Sequence, residues 1–196
     1  MIPANAALLV IDVQRGLDHP KYGRRNNPDA EVHIARLLAG WRAAGWPVIH
    51  VQHLSTSPDS PLRPGTPGCE IKPEAAPREG EPLFQKRVNG AFLGTDLEPY
   101  LRARGITSLV VVGLTTDHCV SSTARLAGDL GFDTYVVADA TAAFEREGYD
   151  GRRFSAEDVH AVALVNLQGE FATIVTTEGV LAALPLPEAA SAGAAP

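Results

Sequence analysis

The sequence predicts a doubly wound, Rossmann-like α/β domain whose mostly parallel sheet carries helices on both faces. Three observations point to it. Short β-branched apolar runs recur along the chain, helical patterns lie between most of them, and a glycine separates helix from strand at Gly45, Gly105 and Gly131. Apolar runs without alternation mark strands buried on both faces. Their regular exchange with helices is the pattern of βαβ units.

The first strand is Ala7–Ile11, read as Ala-Leu-Leu-Val-Ile. Residues 29–44 then place Ile34, Leu37, Leu38 and Trp41 around a helix that Gly45 can terminate. The second strand is Pro47–Val51. The stretch Leu54–Leu83 breaks the rhythm with seven prolines and three glycines. A loop of this length inside a compact domain is usually functional or disordered, and because it follows a strand's carboxyl end it is expected to cover a site. Helices over 96–104 and 117–130 alternate with strands over 108–112 and 133–137. The last helix, 156–167, opens on Ser155 with Asp158 three residues later, a capping box with Asp in the Glu position. A final strand covers 172–175. Residues 1–184 thus form one domain, with the Pro-rich active-site loop at 54–83 and an Ala/Pro-rich flexible tail at 185–196.

Composition narrows the function classes. Of 196 residues, 45% are apolar and 20% charged, which is ordinary for a globular chain. Lys and Arg number 17 against 23 Asp and Glu, a net charge of −6. Neither a nucleic-acid groove nor an anionic membrane surface suits that balance. The start of the chain lacks a basic segment followed by a long apolar one, and no apolar run approaches the ~20 residues that span a bilayer. A cytoplasmic protein with a small-molecule partner is expected. Two cysteines, Cys69 and Cys119, are too few for a disulfide scaffold.

In an open α/β sheet, ligands bind outside the carboxyl ends of the strands. The first strand ends in Asp12-Val13-Gln14, the second in His50-Val51-Gln52-His53, and the strand over 108–112 runs into Gly113-Leu114-Thr115-Thr116-Asp117-His118-Cys119-Val120. Cys119 opens a predicted helix, where unpaired N–H groups and the positive dipole end favour a thiolate and could hold an oxyanion. A buried structural cysteine is the competing reading. Asp12 follows a fully apolar strand and needs a partner to stay ionised, or else serves as a cap. His118 is poorly placed to act as a base for Cys119, because adjacent helical side chains splay by about 100°. Lys86, taken alone, reads as a solvated lysine.

Three segments then resemble the isochorismatase-like cysteine hydrolases, the superfamily of nicotinamidases and N-carbamoylsarcosine amidohydrolases. They are Leu9-Val10-Ile11-Asp12-Val13-Gln14, Lys86-Arg87-Val88-Asn89-Gly90-Ala91-Phe92, and Gly113 to Val120. Ser122-Thr123-Ala124 and Val136 to Ala140 add support, and the similarity runs from about residue 6 to 182. The resemblance implies an Asp12–Lys86–Cys119 triad in which Asp12 takes the thiol proton and returns it to the leaving amine, while Lys86 holds the carboxylate. It further implies a cis peptide at Leu114–Thr115 and an oxyanion hole from the backbone N–H groups of Thr115 and Cys119. Leu17, Phe92, His118 and His53 are the candidate substrate contacts. Relatives are commonly dimers or tetramers, so a homo-oligomer is expected.

Two departures shape the expected activity. Isochorismatases proper cleave a vinyl ether without a nucleophilic cysteine, so Cys119 favours C–N bond hydrolysis through a thioester. Nicotinamidases carry an Asp-x-His pair and another histidine for a metal, whereas the matching stretch here is His53-Leu54-Ser55 and the following loop has no histidine. No metal and no cofactor are therefore expected. The alternatives are a nicotinamidase, an isochorismatase-type vinyl-ether hydrolase, or a catalytically silent binding module on the same fold.

Overall fold

The apolar runs become the inner strands of a six-stranded sheet in the computed structural model, which describes residues 2–185. In chain order the elements are β1 (Ala7–Ile11), α1 (Ala30–Ala44), β2 (Val48–His53), β3 (Leu83–Lys86), α2 (Leu97–Ala103), β4 (Ser108–Leu114), α3 (Ser121–Asp129) and β5 (Asp133–Ala142). There follow β6 (Arg146–Glu147), β7 (Arg153–Phe154), α4 (Ala156–Leu167), β8 (Thr173–Val175) and α5 (Thr177–Leu181). The sheet runs β3-β2-β1-β4-β5-β8 with every pairing parallel, and β6 and β7 form a separate antiparallel hairpin.

Both faces of this sheet are covered, which is why its strands read as unbroken apolar runs. Leu8 and Val10 pack with Ile34, Leu37, Leu38 and Trp41 of α1 and Val180 of α5. Ala7, Leu9 and Ile11 face the other way, onto Leu97 and Leu101 of α2, Ala124 and Ala127 of α3 and Leu167 of α4. Ser155 caps α4 as its spacing predicts, accepting a hydrogen bond from the Asp158 N–H at 3.1 Å.

The strand order reverses between β1 and β4, which places a crevice at their carboxyl ends. The two strands approach unusually closely there. Gly113 has φ +118°, and a Cβ on it would lie 2.0 Å from the Ile11 carbonyl oxygen. Only glycine satisfies both constraints.

The structure departs from the sequence expectation in two places. Residues Leu83–Lys86 form the edge strand β3, which so short a segment with exposed Leu83 and Gln85 does not announce. The helix expected over 117–130 begins instead as a π-helical turn, Thr116–Val120, ahead of α3. The Pro-rich loop, expected to cover a site, is pinned to the segment after β1: Ile71 bridges Gln14, the Lys72 N–H donates to the Val13 carbonyl at 2.9 Å, and the Gln14 amide donates to the carbonyls of Cys69 and His53. Apart from Pro185, the tail expected at 185–196 lies outside the described residues.

Candidate active site

Three strand ends converge on one point. Asp12 follows β1 directly and takes a left-handed conformation, φ +49°, which is strained for a residue with a Cβ. That turn drives its carboxylate into the crevice, where it is almost wholly buried. Lys86, the last residue of β3, is fully buried as well, and its Nζ lies 2.6 Å from Asp12 Oδ2. A buried lysine needs such a partner. The same ammonium lies 3.2 Å from Nδ1 of His53, the last residue of β2.

Cys119 enters from the π-helical turn after β4. Its Sγ, a carboxylate oxygen of Asp12 and a ring nitrogen of His53 lie within 4.8 Å of one another. Asp12 Oδ1 is buried without a hydrogen-bond partner, so the carboxylate keeps one acceptor free on the side not held by Lys86. The Leu114–Thr115 peptide is cis. Among the described residues the Thr115 N–H finds no backbone acceptor. Cys119 Sγ also lies 3.7 Å from Asn89 Oδ1.

The electrostatics correct one expectation. Burial pushes the Cys119 thiol up, and the Asp12 carboxylate adds to that, against the pull of Lys86. Burial thus outweighs the helix start and the nearby lysine, and the shift at Cys119 runs toward the protonated thiol rather than toward a thiolate. Burial also raises the Asp12 carboxyl above its ordinary value, opposed by the Lys86 charge and hydrogen bond. Burial, followed by the Lys86 charge, lowers the His53 imidazole, which stays neutral beside the ammonium. A neutral thiol beside a carboxylate of raised proton affinity is an arrangement for proton transfer on demand.

A cavity of about 190 Å³ opens above these groups. Leu17, His53 and His118 line it, together with Thr115, as the sequence suggests. Phe92 does not. It turns into the core and stacks on Phe132, ring centroids 5.8 Å apart, because the chain after Gly90 packs back against α2 and α3. The residues that sequence reasoning misses are Tyr22, Ser60, Leu62, Asn89, Phe144 and Arg146. Ser60 and Leu62 come from the Pro-rich loop, so that segment does form part of the wall.

Asp12, His53 and Cys119 are metal-ligating residue types, but the Lys86 ammonium already lies against Asp12 Oδ2 and His53 Nδ1. A dication held by these three groups would lie beside that buried ammonium, where like charges repel, so the donor set does not suit a metal.

The family model for the isochorismatase domain matches residues 6–179. The chain belongs to the isochorismatase family. It is 45% identical over 175 residues to the isochorismatase family protein YrdC of Bacillus subtilis, covering 89% of this chain and 94% of that one. An isochorismatase-family crystal structure from Chromobacterium violaceum superposes with a TM-score of 0.90 at 44% identity, covering 93% of this chain and 96% of the other. The ureidoacrylate amidohydrolase RutB of Methylobacterium radiotolerans is 28% identical over 227 residues, covering 98% of this chain and 84% of RutB. The six-stranded parallel sheet is thus that of an isochorismatase-family hydrolase.

Proposed function

We propose that this hydrolase cleaves a C–N bond of a small amide, ureide or lactam through a thioester on Cys119. The observation that carries the reading is the Asp12 carboxylate and the Cys119 thiol side by side on the lining of one cavity, with the buried Lys86 ammonium against the carboxylate at 2.6 Å. A vinyl-ether hydrolysis has no use for a thiol placed against a carboxylate. The amidohydrolase RutB, whose sequence aligns along nearly the whole chain, supports the same chemistry.

As the substrate carbonyl reaches the cavity floor, Asp12 Oδ1 takes the thiol proton while Sγ forms a bond to the carbonyl carbon. The N–H groups of Thr115 and Cys119 receive the oxygen as it gains charge, a role for donors fixed in advance. The C–N bond then breaks, and the amine leaves with the proton from Asp12. Water attacks the thioester, its proton passing to Asp12, and the thiol recovers a proton as the acid departs. Lys86 keeps Asp12 ionised in a buried setting and orients the free oxygen toward sulfur.

A panel tests this, with Cys119→Ala as control: primary amides, ureido acids and nicotinamide are followed by ammonia release, and lactams, whose amine stays on the ring-opened product, by the mass gain of one water. At least one substrate is expected to be hydrolysed by the wild type and not by the variant. Turnover retained in Cys119→Ala, or none across the panel, would remove the reading.

A further inference from the structure

We propose that His160 is a positioning residue for the nucleophile: from α4 it holds the Thr116 hydroxyl and so fixes the turn that presents Cys119 to Asp12. The inference rests on the reading of Cys119 as the reactive thiol and adds to it a residue that lies off the cavity lining.

The turn has little else to hold its first residue. A π-helical turn is rare and is found mostly at functional sites. Thr116–Val120 follows Thr115, whose side chain makes no capping bond. The N–H groups of His118 and Val120 both fall on the Thr115 carbonyl, each at 3.2 Å. Thr116 is fully buried, and a buried hydroxyl needs a partner. Among the described residues that partner is His160, whose Nδ1 lies 2.8 Å from Thr116 Oγ1. Thr116 stands directly after Thr115, whose N–H is assigned to the oxyanion, and three residues before Cys119. A shift of Thr116 therefore moves both the sulfur and that donor.

His160 is anchored away from the site. Its Nε2 lies 3.5 Å from Asn27 Nδ2. That amide nitrogen donates to the Ala138 and Thr141 carbonyls at 2.9 and 2.7 Å, tying the segment before α1 to the end of β5. Both amide hydrogens are thereby committed, and the Ala138 carbonyl takes a hydrogen bond from the ring as well. The proton then belongs on Nε2, which leaves Nδ1 to accept from the Thr116 hydroxyl. Burial lowers the imidazole, against the Ala138 carbonyl and the Asp117 charge, so the shift runs toward the neutral ring that this bond requires. One imidazole thus joins α4 and the end of β5 to the nucleophile turn.

Alkylation of Cys119 by iodoacetamide at neutral pH, followed by peptide mass, reports how well the thiol is held beside its base. Thr116→Val keeps the shape and removes the hydroxyl; His160→Phe keeps a ring and removes the acceptor. Each is expected to slow alkylation about tenfold, because small displacements of reacting groups are costly. Thr116→Ser retains the hydroxyl and should keep the wild-type rate. The double variant Thr116→Val/His160→Phe should be no slower than either single one, since both remove the same bond. A bond that serves stability alone would lower the urea midpoint and leave alkylation of the folded protein as fast as in the wild type. That result in Thr116→Val, or losses that multiply in the double variant, would overturn the proposal. Should His160→Phe not fold, the threonine pair decides: Thr116→Ser as slow as Thr116→Val would count against it. Should Thr116→Val not fold, His160→Phe and His160→Asn decide, the asparagine oxygen replacing Nδ1 as acceptor and restoring part of the rate; equal rates in the two would count against it. Alkylation does not require turnover, so the two readings fail separately. Slowed alkylation with no amide hydrolysed would keep the positioning role and remove the hydrolase; hydrolysis with alkylation unchanged in the variants would do the reverse.

Discussion

Asp12 and Cys119 share a proton problem set by burial. Both groups are pushed up by desolvation, and Lys86 opposes the rise in each. The active form has Asp12 ionised and Cys119 protonated, so kcat/KM should fall as pH drops through the raised Asp12 value. A pH profile should show this acid limb displaced above the ordinary carboxylate range, and the residual activity of Asp12→Asn should lack it. Asp12→Asn and Lys86→Ala are each expected to lower turnover by about 10²–10⁴, the usual worth of a positioned proton carrier. The double variant should be scarcely worse, because groups acting as one unit are not additive; losses that multiplied would contradict the coupled triad. Cys69 gives an internal comparison. It is buried in the loop with its thiol raised by burial, whereas Cys119 faces the cavity beside a base. Iodoacetamide at neutral pH should modify Cys119 first and abolish activity, as peptide mapping would show.

The elements that carry these residues are braced by charge as well as by packing. Glu31 of α1 takes both guanidinium nitrogens of Arg25 at 2.7 Å and the Lys72 ammonium at 2.7 Å, and Lys72 reaches Asp18 beside Leu17. This network clips the Pro-rich loop to the segment after β1. Burial alone would raise Glu31, but the Arg25 and Lys72 hydrogen bonds outweigh it and hold the carboxyl at about 2. A depressed carboxylate stabilises the fold above its unfolded value and loses that contribution as pH falls from about 4.5 to about 2. Glu31→Gln should therefore lower stability at neutral pH and flatten its fall in that acid window, measured as the urea midpoint against pH. The sequence shows the inner strands plainly, because Leu8 to Ile11 and Leu109 to Val112 are buried on both faces and must be apolar throughout. It does not show β3 or the β6–β7 hairpin, which are short, polar and at the margin. That is why Lys86 reads as a surface lysine until a resemblance places it, and why Arg146 goes unnoticed. Phe92 misleads for the opposite reason: its neighbours suggest the site, but its ring finds Phe132 in the core.

At the scale of the whole molecule, the function follows from topology. Reversal of strand order between β1 and β4 brings three distant segments to one crevice, and the loop after β2 adds Ser60 and Leu62 as wall. Asp12 and Cys119 are legible as strand-end chemistry, but their pairing with a buried lysine depends on the parallel placement of β3 beside β2. Since the Lys86 ammonium fills the position between Asp12 and His53, dialysis against a strong chelator should leave turnover unchanged; activity lost and then restored by zinc, iron or manganese would contradict that arrangement. The central claim is a covalent intermediate on Cys119. Its most direct test is acid quenching of the enzyme during turnover of an amide from the panel, followed by intact-mass and peptide analysis. A mass increase equal to the acyl portion, confined to the peptide bearing Cys119, is the expected result. An unmodified Cys119 throughout turnover, with full activity retained in Cys119→Ser, would contradict it.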